Sequence, residues 1–470
     1  MKLKNYGLFL ASLGLLASCA NDNVDGPKQE IKGDVAFSFN VKEVGSRADG
    51  EQVTATPAES NVDKVTILME QNGKLVPFVA SKAGSVWKFM ISGTAFTNLN
   101  SSEGTFYAVA NPANIDFSDG KLQKVIEGTN YATNNQFLMS STQATKVVLD
   151  LEGMKNGKYT EENPYNIGTL PVRRTVARID VANAQPEAAL DVEVKFQGAS
   201  LVNLSNNFYL YQQVGGNVFG NVATDATWID DPKVSASSYD FSKLINRVTA
   251  DQHPQDLTYT AAFPGGDNYQ TLSYVNPNTV TSINDQVNGK STGVVFKAEI
   301  TAKEGQTLNV AEGEDLCVYY GKVIGGETYI KGLASSSNAD QKNLASVYTN
   351  AVAGLNDAAA KRAALREAGF EVYPAKDNKY FCYYYYWVRH NILPETFNNG
   401  EMHDMEFGVV RNHVYRIAVN SVTGLGKPGD FNPNPDQVDD PKVEEPADNA
   451  FIQVTLQVMP WVTVYDNIEF

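Results

Sequence analysis

The sequence predicts an all-β protein with minor inserted helices. Three observations point there. Its 470 residues include 23 Tyr and 22 Phe beside abundant Val, Thr and Asn, a bias that favours pleated, half-buried surfaces and tight turns. Short apolar runs recur with turn residues between them, the rhythm of a sandwich rather than of βαβ units. Only one stretch, 338–369, has apolar residues at helical spacing. At roughly 100–200 residues per domain, the length fits two domains.

The elements follow in order. Segment 34–41 alternates, with Val35, Phe37, Phe39 and Val41 on one face and Asp34, Ala36, Ser38 and Asn40 on the other. That is a half-buried strand. A small, polar stretch with Arg47 and Ala48 follows, the kind of segment where proteases cut. Strands are expected at 65–69, 86–91, 105–110, 136–139, 146–151 and 175–181, with a hairpin signal at Asn72-Gly73. A second set is expected at 191–196, 199–204, 258–263, 293–301, 315–323, 379–388 and 414–422. Within 338–369, Leu344, Val347, Tyr348, Ala351 and Leu355 fall on one helical face, and an Ala-rich segment ends at Gly369. Residues 427–449 hold five Pro and seven acids. Such a stretch is excluded from a central strand or a helix and reads as an extended linker or surface loop. Beyond it Ile452, Val454, Leu456 and Val458 share one face, and the parity resumes after Pro460 at Val462, Val464, Ile468 and Phe470. An apolar strand beyond a linker needs a partner edge.

The start of the chain reads as an export signal. Lys2 and Lys4 precede an apolar run at 8–16 that is too short to span a bilayer. Leu16-Ala17-Ser18-Cys19 then places small residues before a Cys, as in a bacterial lipobox, so Cys19 is the expected lipidation site. The other two cysteines, Cys317 and Cys382, sit in strand-like apolar runs and read as buried small hydrophobes, with one disulfide as the alternative.

Charge and motifs exclude more than they offer. With 38 basic against 54 acidic residues the net charge is −16, so nucleic-acid binding and adhesion to anionic lipid by charge are disfavoured. The four histidines, His253, His390, His403 and His413, lack HExxH spacing or paired Cys, and no metal is expected. Asn288-Gly289-Lys290-Ser291-Thr292 imitates the end of a phosphate loop, but Asn284 stands where its first Gly belongs. Asp430, Asn432, Asn434 and Asp436 have calcium-loop spacing without the central Gly or the closing acid. Gly84-Ser85 lacks the second Gly of a nucleophile elbow, and the carboxylates are scattered. No catalytic residue or cofactor is expected. Tyr383 to Tyr386 with Trp387 read as a strand with aromatics on both faces, or as a glycan-stacking platform.

Certain segments together resemble one family. They are the lipobox at Cys19, the strand before Arg47, Arg173-Arg174-Thr175-Val176-Ala177-Arg178-Ile179, Val409-Val410-Arg411-Asn412-His413-Val414-Tyr415, and Val458-Met459-Pro460-Trp461-Val462. They look like the major fimbrial (fimbrillin) stalk subunits of Bacteroidia, the type V pili, and in particular the short-fimbria major subunit. The resemblance implies two transthyretin-like Greek-key β-sandwich domains. It implies a lipoprotein precursor at the cell outer membrane, cut after Arg47 by an arginine-specific protease and then built into an extracellular fimbrium. Loss of the strand carrying Val35, Phe37, Phe39 and Val41 would be followed by strand exchange with the last strand of a neighbour.

The expected organisation is a signal peptide at 1–18, a lipidated propeptide with a removable strand at 19–47, domains at 48–183 and 184–426, a linker at 427–449 and a donor strand at 450–470. The expected partners are other copies of the chain, minor tip and anchor subunits, surface receptors of host or bacterium, and the outer membrane through the precursor's lipid. Adhesion and biofilm formation are the expected roles. The alternatives are a tip or anchor adhesin, or a monomeric glycan-binding surface lipoprotein using the aromatic run.

Overall fold

A computed structural model describes residues 31, 33–44, 52–96, 102–133, 136–183, 190–220, 229–230, 244–246, 253–261, 268–279, 289–390, 405–430 and 452–462. The all-β expectation holds: the chain is mostly strand, in several sheets.

The first unit contains β1 (Asp34–Glu43), β2 (Val65–Gln71), β3 (Lys74–Ala83), β4 (Val86–Ser92), β5 (Glu103–Ala110), β6 (Met139–Ser141), β7 (Thr145–Val148) and β8 (Tyr165–Arg174). Their order is β6-β8-β1-β4-β3-β2-β5-β7, and β6 also pairs with β5. Seven strands therefore close on themselves, which removes the free edges an open sheet would leave. Asn72 and Gly73, at φ 50° and 75°, turn the β2–β3 hairpin in the conformation that matches strand twist. The core inside the ring holds Phe37, Phe39, Ile67, Phe89, Phe106, Leu170 and Val172. Strand β8 was not anticipated.

The second unit is a sandwich. It contains β9 (Ala177–Asn183), β10 (Val192–Val202), β11 (Gln270–Val275), β12 (Gly293–Ala302), β13 (Tyr380–Trp387), β14 (His413–Val422) and β15 (Ile452–Val462). One sheet runs Val53–Thr54, β15, β14, β9, β11; the other runs Thr260–Ala261, β10, β12, β13, Lys427–Pro428. Ile179, Ile417 and Val419 of the first sheet meet Val294, Phe296 and Tyr384 of the second in one buried core. Strand β9 thus lies in the second unit, although the expected boundary was 183. Its Ala177, Ile179 and Val181 are apolar on the face that packs there, and it runs parallel to β14.

Three local expectations change. The expected strands 191–196 and 199–204 are one strand, β10, with an irregularity between Phe196 and Gly198. A Cβ on Gly198 would overlap the Thr260 carbonyl oxygen, so that close pairing needs glycine. The expected strand 315–323 is a hairpin, Leu316–Tyr319 and Lys322–Gly325, turned at Tyr320-Gly321 with φ 46° and 72°. Residues 427–430 are held in place rather than free. Lys427–Pro428 pairs with Cys382 and Tyr383, and Asp430 pairs with Arg366 at 2.5 Å. Residues 431–451 lie outside the described residues.

The helical insert is present as Glu327–Gly332, Ala339–Ala351 and Ala358–Glu367, the last two capped by Asn338 and Asp357 side chains. It packs Ile330, Tyr348 and Leu365 against Cys317, Phe370 and Val372. Cys317 and Cys382 are both free and buried in different clusters. Burial pushes their thiols up to about 12 and about 11.

Candidate functional site

Strand β1 sits between two strands of its own chain. It runs antiparallel to β4, with Val35 opposite Ile91, Phe37 opposite Phe89 and Phe39 opposite Trp87. It runs parallel to β8, with Val41 opposite Leu170 and Glu43 opposite Val172. Val35, Phe37 and Phe39 are buried and Val41 is half-buried. The Phe37 ring lies 5.1 Å from that of Phe89 and 6.0 Å from those of Phe96, Phe106 and Tyr165. These four apolar side chains are brought together as the sequence pattern expects.

At its far end β1 stops being apolar. Glu43 pairs with the Arg174 guanidinium of β8. Arg174 is fully buried, and its other donors reach the Glu59 carbonyl oxygen at 2.9 Å, Ser60 Oγ at 3.0 Å and Asn412 Oδ1 at 3.1 Å. Thr56 caps the short helix Pro57–Ser60: its backbone N–H donates to Glu59 Oε2 at 2.6 Å while its hydroxyl accepts from Glu59 N. Glu59 Oε1 accepts from Arg178 at 2.9 Å and from the Tyr274 hydroxyl at 2.8 Å, and Arg178 also donates to Asp180 at 2.8 Å.

Burial pushes the Glu43 carboxyl up against the opposing pull of Arg174, and burial lowers Arg174. At Glu59 burial pushes up too, but Thr56, Tyr274 and Arg178 together hold the carboxyl below its usual range. At Arg178 burial pulls down, and the Asp180 and Glu59 carboxylates outweigh it.

The last described strand meets the same cluster. Trp461 is fully buried, with the Arg174 guanidinium 4.3 Å and the Arg178 guanidinium 5.6 Å from its ring, and the Tyr274 ring stacked at 5.9 Å. Both cations gain from the electron-rich ring face in a dry site. Asn412, at φ 59°, links the parts. Its side chain accepts from Arg174 and donates to the carbonyl oxygens of Val44 at 3.4 Å and Trp461 at 3.3 Å. Val53, just past the segment that holds Arg47, pairs with Trp461.

Strand β15 lies within its own chain. It pairs along β14 from Val422↔Ile452 to His413↔Pro460. Ile452, Val454, Leu456 and Val458 pack on the second core, while Met459 and Trp461, of the other parity, enter the first. Of the other expected donor residues, Val462 closes the strand, and Val464, Ile468 and Phe470 lie outside the described residues. So do Cys19, Arg47 and Ala48. Sequence reasoning missed Glu43, Glu59, Arg174 and Trp461 as a group; the one local signal was a pair of arginines inside an apolar strand.

The aromatic run offers no platform. Tyr383, Tyr385 and Trp387 pack with Val202 and Phe407, and Tyr384 points into the sandwich core. All four are buried, because β13 is covered on both faces. His390 and His413 are half-buried and pack against each other, ring centroids 4.9 Å apart, with His390 Nδ1 2.9 Å from the Tyr415 hydroxyl. Thr292, in the phosphate-loop imitation, is buried and takes a 2.7 Å bond from Asn278. Among the described residues no group of metal ligands gathers.

Residues 378–467 match the family model described as major fimbrial subunit protein type IV, fimbrillin, C-terminal. That range includes β13, β14 and β15. No curated protein matches this chain. Solved structures to which the chain is similar include a fimbrilin from Porphyromonas gingivalis W83, at 17% identity over 93% of this chain and 100% of that one, with TM-score 0.42. Another is the tip fimbrial protein Mfa3 from Porphyromonas gingivalis, at 14% identity over 91% and 100%, with TM-score 0.31. A third is a fimbrial assembly protein from Parabacteroides distasonis, at 11% identity over 57% and 96%, with TM-score 0.25.

Proposed function

We propose, from the fimbrillin C-terminal match and the geometry of β1, that this chain is the polymerising stalk subunit of a cell-surface fimbria. One observation carries the reading. Strand β1 is an apolar insert between β4 and β8, and it runs directly into the segment that holds Arg47. Cleavage after Arg47 frees β1 to leave. Its departure opens the ring and leaves two facing strand edges over an apolar floor, a surface that strand addition fills with main-chain hydrogen bonds and alternate side chains. The precursor is exported on the signal peptide, lipidated at Cys19 and held at the outer membrane until the cut.

The donor is the end of the neighbour's chain. Ile452 to Val458 support their own sandwich core, so the exchanged part is the stretch beyond Trp461, with Val462, Val464, Ile468 and Phe470 facing the groove. The contact is head-to-tail and does not close on itself, so it generates a filament. Tip and anchor subunits bound such a filament, and surface receptors are its targets in adhesion and biofilm formation. The burial of Tyr383, Tyr384, Tyr385 and Trp387, with Tyr386 half-buried, argues against the glycan-binding monomer.

The test is negative-stain microscopy and SDS-resistant ladders of the Arg-cleaved protein beside the uncut precursor. Fibres are expected only after the cut. Val464→Asp in the cleaved protein is expected to stop assembly and Thr463→Asp to permit it; equal assembly by both removes the donor assignment. Cys19→Ala is expected to abolish incorporation of labelled lipid.

A further inference from the structure

Strand β1 takes a charge with it when it leaves. Its inner face reads Val35, Phe37, Phe39, Val41 and then Glu43, and Glu43 is the carboxylate on Arg174. Arg174 stays behind, because β8 is part of the remaining ring and its other contacts are the Glu59 carbonyl, Ser60 and Asn412. Those three acceptors are neutral. The Glu59 carboxylate already has both oxygens engaged, Oε2 by Thr56 and Oε1 by Arg178 and Tyr274. The emptied groove therefore has an apolar floor and, at one end, a guanidinium that has lost its directly paired carboxylate and keeps only the more distant pull of Glu59. Removing one member of a buried ion pair is unfavourable for the member left behind.

The stretch 462–470 reads Val-Thr-Val-Tyr-Asp-Asn-Ile-Glu-Phe. As an alternating strand it shows Val462, Val464, Asp466, Ile468 and Phe470 on one face and Thr463, Tyr465, Asn467 and Glu469 on the other. The otherwise apolar face carries a single acid. In a wholly apolar groove Asp466 would be a defect. In this groove it meets the guanidinium that has lost its directly paired carboxylate.

We propose that Asp466 of a second copy of this chain replaces Glu43 on Arg174, and so sets the register of the exchanged strand; this rests on the strand-exchange reading above. The spacing agrees for either strand direction. With Asp466 at the Glu43 position, Val464 and Val462 cover the Val41 and Phe39 positions in one sense, and Ile468 and Phe470 cover them in the other. A one-residue slip would put Tyr465 or Asn467 against Arg174 and turn the apolar residues outward. The pairing is charge-assisted and dry, and it selects donors that carry an acid at this step of the alternation.

The test uses the full chain cut after Arg47, with polymerisation followed by light scattering and SDS-resistant ladders. Asp466→Asn is expected to slow elongation roughly tenfold or more, since it leaves Arg174 without a directly paired carboxylate. Asp466→Glu is expected to retain assembly, and Glu469→Gln, on the opposite face, to match the unaltered protein. All three precursors should fold and be cut normally, because Glu43 still serves Arg174 until the cut. In a second arm, an acceptor with Glu43→Met and Arg174→Met is expected to prefer Asp466→Met donors over unaltered ones. If Asp466→Asn assembles at the unaltered rate while Val464→Asp does not, strand exchange stands and the role of Asp466 is refuted. If Val464→Asp also assembles freely, the strand-exchange reading falls, and this inference falls with it.

Discussion

Replacing Phe37 by Ala probes how much of the first unit depends on β1. The side chain is fully buried and lies within 6.0 Å, centroid to centroid, of four aromatic rings from β4, β5, β8 and the turn at Gly93–Phe96. Truncating a buried Phe removes its transfer free energy and leaves a cavity, together about 3–5 kcal/mol. Rings fixed by paired strands relax little, so the upper half of that range applies. With a urea slope of about 2 kcal/mol per molar, the midpoint for the unit falls by roughly 2 M. The assay is urea unfolding of the uncut protein, read by tyrosine and tryptophan fluorescence. The same protein cut after Arg47 and freed of β1 supplies the control, because residue 37 is then absent. A loss below about 1 kcal/mol in the uncut protein would refute the packing argument. An equal loss that persists after cutting would refute the departure of β1.

Three further outcomes follow from the same structure. A Cβ on Gly93 would overlap the carbonyl oxygens of Ile31 and Gly33, so Gly93→Ala is expected to destabilise the uncut protein by about 2 kcal/mol and the cut protein much less, as measured by the two urea midpoints. Burial lowers His390 to about 3 and His413 to about 4, so both stay neutral in the fold. The unfolded chain then takes up protons first as pH falls below about 6.5, and stability drops from there toward pH 4, by up to about 4 kcal/mol at pH 5. Thermal melts between pH 7 and pH 5 check this, and replacing both histidines by Gln should flatten the slope. Cys317 and Cys382, buried and with raised thiol values, are expected to resist a thiol reagent at pH 8 until denaturant is added, whereas prompt reaction of the native protein would contradict their burial.

Local pattern alone determined much of this protein. The alternation from Val35 to Val41, the Asn72-Gly73 turn and the helical face of Leu344, Val347 and Tyr348 are set by neighbours in sequence, because strand and helix periodicity and φ > 0 turn residues are short-range properties. Tertiary structure decided the rest. Strand β8 contains Gly168 and Pro171, residues that break strands in isolation. It forms because β1 and β6 pair on its two sides and its Leu170 and Val172 enter the ring's core. The aromatic run Tyr383 to Trp387 was ambiguous until β13 was seen to be covered on both faces. Glu43, Glu59, Arg174, Asn412 and Trp461 are far apart along the chain, and nothing near any one of them names its partners. They meet because the ring closes beside the sandwich and β15 lays its even residues on one core and Met459 and Trp461 on the other. A buried charge is tolerable only where its counter-charge is brought to it, and bringing distant residues together is the work of the fold rather than of the local sequence.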